Sequence, residues 1–186
     1  MPWKNGGGRT TEIATDPPGS ALDGFAWRVS IAEVACDGPF SPFPGVDRTI
    51  VLLEGRGMVL DDARGSVTLA VPYEPWTFAG DDPIACRLVG GAVRDFNLMT
   101  RRAQARGDVV AVRDGVARLP GARHRLCWTA AGTVECLVPG HEPFRLPAGH
   151  ALWQDWVDEA ATMSVHPLAA GAVALVVRVD AAGPPR

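Results

Sequence analysis

Glycine and proline interrupt this chain so often that no long helix can run through it. The 186 residues include 21 glycines and 16 prolines, spread along the whole length. Proline removes a backbone donor, and glycine weakens a helix interior by entropy. Runs of strand length lie between them: Phe25 to Val34, Arg48 to Leu53, Val67 to Val71, Ile84 to Leu88, Ala92 to Thr100, Val109 to Val112, His124 to Thr129, Thr133 to Val138, His150 to Trp153 and Ala172 to Val179. Many short strands with turn signals between them predict an all-β sandwich or barrel rather than βαβ units. Helical periodicity is weak throughout, with only Asp155 to Met163 and Arg101 to Arg106 as candidate helical turns.

The composition, 47% hydrophobic and 21% charged, is that of a globular protein. A net charge of −3 provides no broad basic surface, so nucleic acid is not an expected partner. No apolar run approaches the roughly 18 residues that span a bilayer. Met-Pro-Trp-Lys-Asn-Gly lacks the apolar core of a secretory signal, and no membrane partner is expected. The expected location is cytoplasmic. Cys36, Cys86, Cys127 and Cys136 form no Cys-x-x-Cys pair and read as reduced, buried small hydrophobes.

Four segments carry chemistry. In Pro2-Trp3-Lys4-Asn5-Gly6-Gly7-Gly8, successive backbone N–H groups can cradle an anion beside Lys4, the one lysine among 18 basic residues. The segment lacks the ending of a nucleotide P-loop. It reads either as a docked arm, with Trp3 buried and Asn5 partnered, or as a free one. In Trp27-Arg28-Val29-Ser30-Ile31-Ala32, period two sets Arg28, Ser30 and Ala32 on one face, which lines a cavity or meets solvent. Gly38-Pro39-Phe40-Ser41-Pro42-Phe43-Pro44-Gly45-Val46-Asp47-Arg48 leads through an apolar run to Gly55-Arg56-Gly57. In Asp95-Phe96-Asn97-Leu98-Met99-Thr100-Arg101-Arg102, alternation groups Asp95, Asn97, Met99 and Arg101.

The third segment resembles the first motif of metal-binding cupins, aligned by its Gly-x-Gly end. Ser41 and Phe43 then fall where two histidines would stand, and Arg48 falls where a glutamate would. Val71 to Phe78, near the place of a third histidine, contains none. Transition-metal sites need several converging N, O or S ligands, so no metal and no cofactor are expected. A guanidinium in place of a carboxylate inverts the preference of the pocket toward a carboxylate or phosphate. His124, His141, His150 and His166 lie scattered through the second half and read as surface or strand-end residues.

Together the four segments resemble the HutD family, which includes the Ves-type proteins. The resemblance covers roughly residues 2 to 102. It implies an RmlC-like bicupin, two tandem double-stranded β-helix barrels spanning 1–102 and 103–186, tied to histidine utilisation and without an established catalytic activity. It also implies a small anionic metabolite of that pathway as ligand, of the formylglutamate, formate or urocanate class. A weak echo between Gly38 to Gly57 and Pro139 to Trp153 agrees with two similar barrels.

Three readings follow. The first is a non-catalytic, metal-free carboxylate binder whose ligand-binding residues are Lys4, Asn5, Arg28, Ser30, Ser41, Phe43, Arg48, Asn97 and Met99. The second is a metal-independent isomerase or amidohydrolase using Asp95 or Glu33 as acid or base. The third is a partner-binding protein with a vestigial cavity, its Arg28 and Arg48 screened at the surface. Sheet edges in barrels pair readily, which leaves room for a homodimer.

Overall fold

The computed structural model describes residues 7–155 and 161–183. Its regular elements are all strands. The first nine are β1 (Gly8–Asp16), β2 (Trp27–Val34), β3 (Gly38–Pro39), β4 (Val46–Glu54), β5 (Met58–Asp62), β6 (Gly65–Leu69), β7 (Pro75–Ala79), β8 (Ala85–Leu88) and β9 (Val93–Arg101). The rest are β10 (Ala105–Val112), β11 (Ala117–Leu119), β12 (His124–Ala131), β13 (Thr133–Leu137), β14 (Phe144–Pro147), β15 (Ala151–Asp155), β16 (Met163–Pro167) and β17 (Val173–Ala181). Two compact units divide the chain, 1–106 and 107–186.

The first unit packs the sheet β1-β2-β9-β4-β7 against β3-β8-β5-β6, and the second packs β10-β17-β12-β15 against β11-β16-β13-β14. Apart from β1, adding eight to each strand number turns the first unit's order into the second's. One detail repeats within the strands. A bulge falls between Leu52 and Glu54 against β9, and another between Thr129 and Ala131 against β17. Each is followed by a glycine, Gly55 or Gly132, with positive φ. The chain is therefore a tandem of two like barrels. The duplicated segments are β4 and β12, not the Gly38 to Gly57 and Pro139 to Trp153 pair that the sequence echo suggests, because Phe144 to Asp155 forms the counterparts of β6 and β7.

Each barrel is closed by alternation. In the first, Ala32, Ile50, Leu52 and Phe78 from one sheet meet Met58, Leu60, Ile84 and Cys86 from the other. In the second, Cys127, Ala174 and Val176 meet Val134, Cys136, Met163 and Val165. The opposite faces of β2, β4 and β9 are also buried, through Trp27, Val29, Val51, Phe96 and Leu98. Gly57 is required where the chain turns into β5: its φ is +117°, and a Cβ there would lie 2.5 Å from the Leu69 carbonyl oxygen.

Two expectations about local structure change. Arg101 to Arg106 is a tight turn closed by Gln104 N–H to the Arg101 carbonyl at 2.8 Å, followed at once by β10. The polar spacing that resembles a helical turn there belongs to the short connection between β9 and β10, which lie in different sheets. Most of Asp155 to Met163 lies outside the described residues, and its two ends belong to β15 and β16. Of the cysteines, Cys36 is exposed and the other three are buried.

Candidate functional site

Register brings the polar side chains together. Met99 of β9 lies opposite Arg28 on β2 and Arg48 on β4, and Arg48 lies opposite Phe78 on β7. Asn97 lies between Ser30 and Ile50, and Asp95 between Ala32 and Leu52. Strand period two makes all of these side chains share the face that also holds Ile50 and Leu52 of the barrel core. The polar group therefore points into the first barrel and not to water, with Asp95 and Asn97 both buried.

Arg48 is the centre of the group. It is 9% exposed, and its guanidinium lies over three phenyl rings, at 5.2 Å from the Phe40 centroid, 5.6 Å from Phe43 and 5.2 Å from Phe78. Ring faces attract a cation without supplying hydrogen-bond acceptors. Arg48 Nη2 donates to Asn97 Oδ1 at 2.9 Å, and Asn97 Nδ2 donates in turn to Asp95 Oδ1. Arg48 Nε is buried and has no hydrogen-bond partner among the described residues. A guanidinium carries five N–H donors, so most of its capacity here is unspent. Burial pulls the Arg48 pKa down to about 10; the negative charge of Asp95 works against this, and the positive charge of Arg28 adds to it. Burial likewise pushes Asp95 up to about 7, against the Arg48 charge and the Asn97 hydrogen bond.

Arg28 is buried and already satisfied. Its Nε donates to Glu12 Oε2 at 2.8 Å and its Nη1 to Ser30 Oγ at 3.3 Å. Glu12 comes from β1, immediately before a bulge that shifts the register between Glu12 and Ala14. Both arginines are inside the barrel, so the reading in which they are screened at the surface does not describe this chain.

The second barrel provides an internal comparison. Arg125 stands four residues before the β12 bulge, as Arg48 stands four before the β4 bulge. Arg125 is fully buried, yet its Nε and Nη2 donate to Gln154 Oε1 at 3.0 and 2.8 Å. Its Nη1 reaches the carbonyls of Leu119, Pro120 and Ala161 at 2.9, 3.0 and 3.2 Å. At the same place in two copies of one barrel, one guanidinium is saturated by protein oxygens and the other is not.

The remaining candidates divide. Met99 is buried with Phe25 and Val46, with Phe43 packed against them, and so forms part of the wall. Ser41 is exposed. Lys4 and Asn5 lie outside the described residues. Glu33 pairs with Arg9 at 3.5 Å on an exposed edge, because odd positions of β2 face away from the barrel interior, and it is no acid or base for this site. Among the histidines, His124 is buried with Nδ1 2.7 Å from Asp155 and is not a surface residue. His150 is exposed, its Nδ1 3.3 Å from the Ala148 carbonyl. Sequence reasoning missed Phe40 and Phe78 as the ring cage and Glu12 as the partner of Arg28. Phe78 had a signal, since Trp76 and Phe78 alternate in a proline-started segment.

No group of three or more His, Cys, Asp and Glu side chains converges among the described residues, and a guanidinium stands where a carboxylate would bind a metal ion. An open cleft of about 570 Å³ runs along the seam between β6 and β7, lined by Asp62, Arg64, Val67, Trp76 and Phe78 among others. It shares the Phe78 ring with the Arg48 cage.

Comparison with known proteins agrees with this architecture. A 21.2 kDa protein from the hutC 3′ region of Pseudomonas putida is 41% identical over 167 residues, covering 89% of this chain and 86% of its own. Protein Ves of Citrobacter koseri is 43% identical over 108 residues, 58% of this chain and 56% of that one. The structure of HutD from Pseudomonas fluorescens SBW25, in a formate condition, superposes with a TM-score of 0.83 at 36% identity, over 98% of this chain and 94% of that one. Oxalate decarboxylase from Bacillus subtilis, at 10% identity and a TM-score of 0.57, shares the cupin fold alone. The HutD family model matches residues 1–174, and the chain belongs to the HutD family.

Proposed function

We propose that the first barrel binds a small carboxylate metabolite at Arg48, without chemistry on it, and that this binding modulates histidine utilisation. The observation that carries the reading is the buried, unpartnered Nε of Arg48, set against the saturated Arg125 at the same place in the second barrel. A carboxylate supplies two acceptor oxygens in the geometry that a guanidinium edge matches. The three rings exclude water around that edge, which strengthens a charge-assisted bond. The association with histidine utilisation rests on family membership and on the relative from the hutC region. The formate condition of the related HutD structure suggests the smallest carboxylate to try first.

A thermal-shift screen of formate, N-formylglutamate and urocanate tests the reading. A ligand at about 100 times its dissociation constant stabilises the wild-type chain by about 2.7 kcal/mol. Arg48→Ala is expected to lose that shift while remaining folded. Equal shifts in the two proteins exclude Arg48 as the anchor.

One observation favours a catalytic second reading, namely that Asp95 is held near neutrality inside the barrel. Asp95 would then act as acid or base on a bound acid, and Asp95→Asn would abolish turnover of that ligand. Quantitative recovery of the unchanged acid after prolonged incubation with the wild-type chain rules this out.

A further inference from the structure

The second barrel holds two nucleophilic side chains that carboxylate binding in the first barrel leaves unused. Cys127 on β12 and Cys136 on β13 belong to different sheets, and both point into the same apolar core. Their Sγ atoms stand 3.4 Å apart, in mutual contact, and both residues are fully buried. Arg125, two residues before Cys127 and on the same strand face, is close enough for its charge to act on both sulfurs.

The barrel architecture does not require thiols here. Counting back from the repeated bulge, Cys127 corresponds to Ile50, and by the alternation of buried positions Cys136 corresponds to Leu60. The first barrel thus fills the equivalent positions with aliphatic carbon. Its own buried thiol, Cys86, faces the Met58 sulfur at 3.9 Å and has no second thiol to pair with. Exposed Cys36 likewise stands without a thiol partner among the described residues.

We propose that Cys127 and Cys136 form an oxidation site, at which a peroxide-class oxidant closes a reversible disulfide between the two sheets of the second barrel. The Cys136 thiolate attacks one peroxide oxygen and the O–O bond breaks. The sulfur becomes a sulfenic acid, and the leaving oxygen departs as water after taking up a proton. The Cys127 sulfur then attacks the sulfenic sulfur, the S–O bond breaks, and the hydroxyl leaves as a second water with the Cys127 proton. Two electrons pass from the two sulfurs to one peroxide, and nothing else is consumed. Cys136 is taken as the attacking group because its contact with the Cys127 sulfur, with help from the Arg125 charge, holds its thiol below the ordinary range. The same contact, together with burial, pushes Cys127 up, which keeps its proton until the second step. Burial restricts the oxidant to molecules of about the size of water or hydrogen peroxide, whereas a bulky disulfide such as oxidised glutathione is excluded.

The test uses the full chain carrying Cys36→Ser, which removes the exposed thiol and with it any intermolecular linkage. After hydrogen peroxide treatment the chain is unfolded in an alkylating agent and weighed. The expected result is alkylation at Cys86 alone, a mass about 2 Da lower for the remaining pair, and recovery of all three alkylation sites after dithiothreitol. Adding Cys127→Val is expected to abolish the 2 Da loss and to leave Cys136 as a thiol or as a sulfenic acid that dithiothreitol returns to the thiol. Full alkylation of all three thiols after peroxide, or sulfinic acid on either cysteine in place of the crosslink, overturns the proposal. So does a Cys127→Val chain that still shows the 2 Da loss.

Discussion

The Arg48–Asn97–Asp95 chain is where protein charge and ligand charge meet. Ionised Asp95 balances Arg48, and Glu12 balances Arg28, so the pocket then carries no surplus charge for an anion. When Asp95 is protonated, one positive charge is left for a monoanion. Binding a carboxylate beside Asp95 raises its pKa further, so binding takes up a proton near pH 7. Affinity is therefore expected to fall as pH rises through about 7 and to level off above it. Asp95→Asn is expected to flatten this dependence, as read by calorimetry in two buffers of different ionisation enthalpy. A pH-independent affinity in the wild-type chain contradicts the coupling. The sign for stability is the same: a carboxyl whose folded pKa is raised helps the fold below its unfolded pKa of 3.8, and that help is lost as pH climbs through about 7. Much of this cluster is legible from residue type and period two alone, which group Arg28 with Ser30 and Asp95 with Asn97 and Met99. Phe40, Phe78 and Glu12 are not legible in that way, because only cross-strand register brings β1, β7 and the segment before β4 to the same point.

The segments flanking β4 and β9 hold the ring cage in place. Arg102 donates to Asp47 at 2.7 Å and pairs with Asp81, and Asp81 accepts the Gly45 N–H at 2.9 Å. Phe43 N–H donates to the Gly80 carbonyl and Gly80 N–H to the Val46 carbonyl, at 2.8 and 2.7 Å. A Cβ on Gly80 would sit 2.8 Å from the carbonyl oxygens of both Phe43 and Val46. Gly80→Ala is therefore expected to cost about 1–3 kcal/mol of stability and to weaken ligand binding by displacing Phe43. Wild-type stability and affinity in that variant contradict this view of the loop. The strands that sequence predicts best are β2, β4, β9, β12 and β17, which are buried on both faces or nearly so. Edge strands such as β6, β7 and β14 show mixed exposure, and prolines open β7 and close β14. Their place is set by the neighbour they pair with more than by their own pattern.

At the scale of the chain, two barrels of one topology have put the same residue to two uses. Arg125 ties Gln154 and three backbone carbonyls together, and its removal leaves the buried Leu119 carbonyl and three part-buried or exposed acceptors without that donor. Arg125→Met is expected to destabilise the chain by about 1–3 kcal/mol in urea denaturation. Arg48→Met removes a desolvated cation with a single hydrogen bond and leaves Asp95 to hold its proton, and is expected to cost the ligand-free chain less than Arg125→Met. Equal losses from the two substitutions mean that Arg48, too, is a structural cation. The most direct measurement is a crystal structure of the chain with the acid that gives the largest thermal shift. The expected result is a carboxylate oxygen about 3 Å from Arg48 Nε, inside the ring of Phe40, Phe43 and Phe78. A protein carbonyl covering that Nε, with the acid bound elsewhere, contradicts the account.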